Sequence, residues 1–303
     1  MPDGFTLAAR FLPGRRVFVT LVCLLWLGPL LAIAPAGAAP QRVVSLNLCT
    51  DQLAMLIAAP GQLHAVSHLA RDPRSSAMVE QAMRYAVTRG GAEAVFRLRP
   101  DLVLAGTYTT AVAVQMLQRL GVPVERFAPA NTFADVIRNL RRMGELLGRQ
   151  ETAEALVARQ QDALAQLQQM RSVGQPLRAV FLDANSYTAG AGTLMHAMLE
   201  AAGFENIAAS RGLYGTARLP LEVLVLARPD LLLTTGRYDP PSVGEAVLDH
   251  PALRHLHRGR SRTVIAGQTF TCGTPFTLAV ARQLAAVRIE MQAAAAARRS
   301  RAP

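Results

Sequence analysis

The sequence predicts an α/β fold of two related lobes, each built on a parallel sheet and joined by a single long α-helix. Three observations carry this: a segment repeated in both halves of the chain, buried-strand runs alternating with helical patterns, and one amphipathic stripe between the halves.

The repeat comes first. Residues 93 to 104 spell EAVFRLRPDLVL and residues 222 to 233 spell EVLVLARPDLLL, six identities in twelve with no gap, including Glu93 with Glu222, Pro100 with Pro229 and Asp101 with Asp230. Each copy predicts a short helix opened by Glu and stopped by Pro. The continuous apolar run that follows suits a strand buried on both faces. A second pair stands upstream, Arg42 to Leu46 (RVVSL) and Arg178 to Leu182 (RAVFL), and the helix ends Ala58-Ala59-Pro60-Gly61 and Ala201-Ala202-Gly203-Phe204 also correspond.

In the first lobe, strands are expected near 42 to 47, 64 to 67, 102 to 105 and 124 to 127. Thr132 is placed as the N-cap of a helix running to about Leu147. Gln150 to Met170 has apolar residues at Ala153, Leu156, Val157, Leu164 and Leu167 among Gln, Arg and Glu, a helical stripe about 30 Å long. In the second lobe strands are expected near 178 to 182, 206 to 208, 231 to 235 and 262 to 265. A final helix starts near Thr277, with a frayed tail from Ala293. The segments are therefore 1–38 (export signal), 39–148 (first lobe), 149–174 (linker helix) and 175–303 (second lobe).

The export signal rests on Arg10, Arg15 and Arg16 ahead of an uncharged run from Val17 to Ala34 that ends in Ala36-Gly37-Ala38. These are the charged, apolar and cleavage regions of a secretory signal, with a mature start near Ala39. Gly28 and Pro29 interrupt the run and argue against a membrane anchor; Arg15-Arg16 also resembles a twin-arginine signal. Cleavage removes three Arg and one Asp and leaves a formal charge of +9. It also leaves Cys49 and Cys272 in an oxidising compartment. All 32 basic residues are Arg and no basic block stands out, which excludes a nucleic-acid footprint.

Taken together, the RVVSL strand, the two E-x-x-x-x-x-x-P-D-L segments, the stretch Tyr187 to Ile207 (YTAGAGTLMHAMLEAAGFENI) and the lone linker helix resemble the class III periplasmic binding proteins, which receive iron-siderophores, haem or cobalamin for ABC importers. The resemblance covers essentially all of the mature chain. It implies two Rossmann-like lobes, a periplasmic monomer, a metal-chelate ligand, and a permease dimer with its ATPase as partner. It further implies no resident cofactor or structural metal and no catalytic residues. A ferric siderophore is favoured and cobalamin comes next, with haem or a bare metal ion as alternatives. In that family one Glu on each lobe docks on permease arginines, and the matching positions are Glu93 and Glu222. Their first-turn placement also complements the helix dipole.

A ligand between the lobes would meet loops beyond the carboxyl ends of the strands. Those loops offer Asn47, Cys49, Thr50, His68, Arg71, Arg89, Thr107 and Tyr108 from the first lobe, and Ser186, Tyr187, Tyr214, Tyr238 and the run from Gln268 through Cys272 to Thr274 from the second. Tyr187 falls where cobalamin-binding members place an aromatic ring. The segment 68 to 73 (HLARDP) lacks the tyrosines expected beside a corrinoid, and no tryptophan precedes Glu93 in the stretch from Val87 to Ala92. Arg71 and Arg89 suit negative oxygen donors, with local pairing of Arg71 to Asp72 as the alternative. Tyr108, Tyr187 and His68 are candidate haem-iron ligands.

Three readings compete for Cys49 and Cys272: separate buried thiols, ranked first because a bridge would staple a cleft that must admit ligand; a disulfide; or soft metal ligands. An exported enzyme is the principal rival function. Against it, the chain has no G-x-S-x-G, no H-E-x-x-H, no C-x-x-C, and no lysine for a P-loop. His250, His255 and His257 lack the carboxylates of a bare-ion site.

Overall fold

The computed structural model describes residues 38–171, 176–235, 240–253 and 262–300. Residues 1–37 of the export segment, Tyr238, His255 and His257 lie outside these residues. Ala39–Pro303 form one compact unit.

The first lobe holds strands β1 (Val43–Ser45), β2 (Leu63–Ser67), β3 (Ala86–Thr88), β4 (Leu102–Gly106) and β5 (Val124–Phe127), with helices α1 (Leu48–Ile57), α2 (Val79–Ala82), α3 (Ala92–Arg97), α4 (Ala111–Arg119) and α5 (Phe133–Leu147). Its sheet has the order β3-β2-β1-β4-β5, every pair parallel. β4 is buried along its whole length, as an apolar run covered by helices on both faces must be. Helix α5 begins where the sequence placed it: Thr132 accepts from the Asp135 amide and the Asp135 carboxylate accepts from the Thr132 amide, a reciprocal cap.

Helix α6 (Gln150–Arg171) leads into the second lobe, with β6 (Leu177–Leu182), β7 (Tyr187–Ala189), α7 (Leu194–Ala201), β8 (Phe204–Asn206), α8 (Ile207–Ser210), β9 (Thr216–Arg218), α9 (Leu221–Ala227), β10 (Leu231–Thr235), β11 (Arg262–Ala266) and α10 (Phe276–Arg299). Its main sheet runs β11-β10-β6-β8, all parallel, and β7 pairs antiparallel with β9 as a separate ribbon.

The repeat has a structural cause. In the first lobe the Asp101 carboxylate accepts from the amides of Gln41 (2.6 Å) and Arg42 (2.9 Å), and Asp101 N–H donates to the Arg42 carbonyl. In the second lobe Asp230 accepts from the Arg178 amide at 2.8 Å and donates its own N–H to the Arg178 carbonyl. The side chains of Arg42 and Arg178 reach the carbonyls of Leu98 and Ala227 at the ends of α3 and α9. Arg99 and Arg228 stand between helix and Pro at φ 49° and 47°, left-handed positions that cost a non-glycine residue about 1–2 kcal/mol. Each aspartate thus clamps a tight helix-to-strand reversal onto the opening strand of its lobe.

One continuous apolar core runs from Val43, Leu53 and Leu104 through Val136, Leu140 and Met143, across Ala153, Val157 and Leu167, to Met198, Leu231 and Leu284. Helix α6 is therefore packed on both sides and is not a free spacer. Arg288 of α10 is fully buried. It donates to the carbonyls of Met170 (2.5 Å) and Ala202 (2.8 Å), placing a cation at the C-terminal ends of α6 and α7.

Several expectations shift. The strand placed at 206 to 208 lies at Phe204–Asn206, because Asn206 caps α8 through the Ala208 amide and Ile207 and Ala208 are helical. The tail expected to fray from Ala293 continues as helix to Arg299, as a run of alanines favours.

Candidate functional site

In the first lobe the chain winds outward from β1 to β2 and β3, then returns to the other side of β1 for β4 and β5. The order reverses between β1 and β4, and the loops beyond their carboxyl ends must diverge there and leave a crevice. A cavity of about 220 Å³ sits at this point, lined by Asn47, Thr50, Gly106, Thr107 and Tyr108, by the β5 loop from Phe127 to Ala130, and by Thr271 and Gly273 from the second lobe.

Asn47 caps α1: its Oδ1 accepts from the Cys49 amide at 3.0 Å and its carbonyl accepts from Thr50 Oγ1 at 2.9 Å. Thr107 is held to the Phe127 carbonyl by its amide and its hydroxyl. Tyr108 is 87% exposed. Among the described residues the lining contains no Asp, Glu, Arg or His, so the polarity they give it comes from amides and hydroxyls.

A carboxylate stands just behind this wall. Asp51 is fully buried and accepts from the Ser67 amide at 3.1 Å and the Ser67 hydroxyl at 2.5 Å. Burial pushes its carboxyl up to about 6, against the downward pull of hydrogen bonds from Ser45 and Ser67. Sequence reading missed it. Asp in the first turn of a helix is ordinarily a solvated dipole partner, and only the fold brings Ser67 over it.

The second lobe presents tyrosines on its ribbon. Tyr187, 40% exposed, opens β7 with the Arg218 guanidinium 5.4 Å from its ring centroid. Tyr214, 77% exposed, bridges to Ala191. Its ring lies so close to Gly192 that a Cβ there would come within 2.5 Å of it. Gly192 thus seats the aromatic ring, while Gly190 lets the chain approach the backbone of Leu213.

The remaining site candidates are dispersed. His68 is exposed in the turn after β2. Arg71 in the same turn donates through Nε and Nη2 to the carbonyls of Ala82 (3.3 Å), Met83 (3.5 Å) and Tyr85 (2.6 Å). The alternative pairing of Arg71 with Asp72 is not formed: Asp72 accepts from the amide and Nε of Arg74 and from Ser75 Oγ, which hold its carboxyl below the usual range. Arg89 is exposed beyond the edge strand β3, and neither it, His68 nor Arg71 lines the cavity. Gln268 crosses to the first lobe and donates to the Pro73 carbonyl. Glu93 and Glu222 occupy the first turns of α3 and α9 and are both exposed. Glu93 also pairs with Arg97 one turn on at 3.3 Å.

The cysteines require a correction. Cys49 and Cys272 are not separate thiols: they form a disulfide with Cα atoms 5.1 Å apart. The argument that a bridge would obstruct the cleft fails because the bond lies at the cavity wall, with Cys49 itself among the lining residues.

Two parallel-sheet lobes, linked through one long helix, with a cavity at a switch point and contributions from both halves, define a bilobal solute-binding protein. The chain belongs to the periplasmic binding protein family, whose model matches residues 43–269. It is similar to a cobalamin-binding protein of Halobacterium salinarum, 30% identical over 205 residues covering 64% of this chain and 54% of that protein. It is also similar to a vitamin B12-binding protein of Photorhabdus laumondii, 24% identical over 76% of this chain and 86% of that one. The match thus spans about half the length of the Halobacterium relative. Among solved structures, the periplasmic heme-binding protein RhuT from Roseiflexus sp. RS-1 superposes with a TM-score of 0.66 at 21% identity, covering 83% of this chain and 97% of that chain. That likeness shows the shared fold.

Proposed function

We propose that the exported chain is the solute receptor of an ABC importer and that its cargo is a metal chelate with a neutral, amide-rich periphery, a corrinoid ahead of a ferric siderophore. The carrying observation is the cavity at the β1/β4 switch point, whose described wall, with Asn47, Thr50, Thr107 and Tyr108, carries amides and hydroxyls and no charged side chain. Such a wall suits amide and hydroxyl donors and acceptors. An anionic chelate would find no charged partner among the described lining residues. The sequence favoured anionic oxygen donors through Arg71 and Arg89, but Arg71 is already bonded to three carbonyls. Cobalamin binding by relatives at 24–30% identity supports the same order.

At about 220 Å³ the cavity is below the roughly 300–1,000 Å³ of a pocket that encloses a drug-sized ligand. A corrinoid would seat only part of itself there, and Tyr187 and Tyr214 offer exposed ring faces for the rest. Export and cleavage near Ala39 belong to the same proposal. So does docking through Glu93 and Glu222, one exposed carboxylate on each lobe for a two-fold permease.

Calorimetric titration of the purified protein with cyanocobalamin, a ferric hydroxamate siderophore and haem tests the reading. Cyanocobalamin is expected to bind with a dissociation constant of about 1 μM or tighter, about −8 kcal/mol. Saturable binding of siderophore or haem with none of cobalamin would overturn the ligand order. No binding to any of the three would remove the receptor reading.

A further inference from the structure

The lobes are joined a second time, at a point the linker helix does not explain. Cys49 lies in the first turn of α1 in the first lobe, Cys272 follows β11 in the second, and 223 residues separate them. Around the bond the two halves meet without slack. A Cβ on Gly273 would overlap the Ala130 Cβ and come within 3.3 Å of Val136 Cγ2. Close by in sequence, Gln268 donates to the Pro73 carbonyl of the first lobe. Cys49, Ala130, Thr271 and Gly273 all line the cavity, so the seam is also its wall.

Helix α6 lies in an apolar core shared by both lobes, which limits them to rocking about that seam; a second tether elsewhere restricts the rocking. Helix α6 is the first tether and the disulfide is the second. We propose that Cys49–Cys272 is a positioning pair that fixes the width of the cleft at its floor, so that ligand enters a preformed site and the lobes do not close on it. The bond holds Asn47 and Thr50, which flank Cys49, opposite Thr271 and Gly273, which flank Cys272. Neither sulfur need touch the ligand.

The proposal concerns the lobes and does not require the cargo to be a corrinoid; only the ligand readout below rests on that part of the functional reading. Protein purified from the cell envelope without reductant is expected to yield a Cys49–Cys272 linked peptide on non-reducing tryptic mapping, and free thiols at both positions would overturn the proposal. X-ray scattering of the ligand-free protein is then compared before and after treatment with a phosphine reductant, and with C49S/C272S. Circular dichroism establishes that each sample is folded. Loss of the bond is expected to broaden the pair-distance distribution, whereas superimposable curves from folded samples would refute the staple.

Cyanocobalamin gives the readout that a merely stabilising bond would not move. If the freed lobes hold the competent width in about one molecule in ten, apparent affinity falls about tenfold, and the observed binding rate saturates with ligand concentration instead of rising linearly. Unchanged affinity and linear kinetics after reduction would contradict a positioning role. Should the reduced or doubly substituted protein unfold, the oxidised protein decides alone: its scattering must stay the same when ligand is added, and contraction would refute a fixed cleft. If cyanocobalamin does not bind, the ligand-free scattering still tests the staple.

Discussion

Replacing Asp51 with Asn is expected to stabilise the protein at neutral pH, although it removes a hydrogen-bonded carboxylate from the core. Asp51 is fully buried and its carboxyl is raised from 3.8 to about 6, chiefly by desolvation. Between these values the folded chain keeps a proton that the unfolded chain has released. The stability tied to this group is therefore complete below pH 3.8 and is lost as pH rises through 6. At 1.36 kcal/mol per pKa unit the loss approaches about 3 kcal/mol by pH 8. The amide of Asp51→Asn would keep the Oδ1 acceptor for the Ser67 amide but could no longer accept from the Ser67 hydroxyl at the other position, a cost of about 1 kcal/mol. The net gain is about 2 kcal/mol at pH 8, vanishing or reversing at pH 4. Urea unfolding of wild type and D51N, followed by circular dichroism at pH 4, 6 and 8, measures it. A difference between the two that does not change with pH, or that favours wild type more as pH rises, would refute the reasoning.

The paired clamps predict matched losses: D101A and D230A should each destabilise by about 1–3 kcal/mol. The double variant should approach their sum, since the two aspartates brace different lobes through different partners; denaturant midpoints check this. Y214A, at an exposed ring seated on Gly192, should leave the melting temperature nearly unchanged while weakening cyanocobalamin binding by about 0.5–1.5 kcal/mol, the range of an aromatic contact. Titration calorimetry measures that loss.

The two-lobe α/β plan was legible because its strongest signals were repeated. The Pro-Asp-Leu segments betrayed matching helix-to-strand turns, and their cause is visible in Asp101 and Asp230. Helix α5 was legible from its cap and α6 from its stripe. Short strands with little burial were not. Ala86–Thr88 is a three-residue edge strand, mostly exposed, and Thr216–Arg218 is exposed or half-buried; neither has an apolar run to announce it. Phe204–Asn206 was displaced because the apolar Ile207 and Ala208 beside it belong to a helix.

The candidate site was less legible than the fold. Asn47, Cys49, Thr50, Thr107 and Tyr108 line the cavity, and of the run from Gln268 to Thr274 it is Thr271 and Gly273 that do so while Gln268 does not. Loop position gave the correct ends of the strands without saying which loops converge. The switch point between β1 and β4 decides that, and it follows from strand order, which local patterning does not encode. The disulfide was hidden for a related reason. Sequence spacing over 223 residues carries no information about a Cα separation, so the thiols could be ranked only on general grounds.

We infer that the chain captures a chelate and delivers it to an importer. Uptake of labelled cyanocobalamin by a host strain lacking this gene tests it most directly, with the strain complemented by wild type or by E93R/E222R. Wild type should restore uptake. The doubly reversed variant should bind cyanocobalamin with unchanged affinity in vitro and fail to restore uptake, because its two exposed docking charges are reversed while the cavity is untouched. Normal uptake with E93R/E222R would contradict docking through these residues, and failure of wild type to restore uptake would contradict a corrinoid cargo for this receptor.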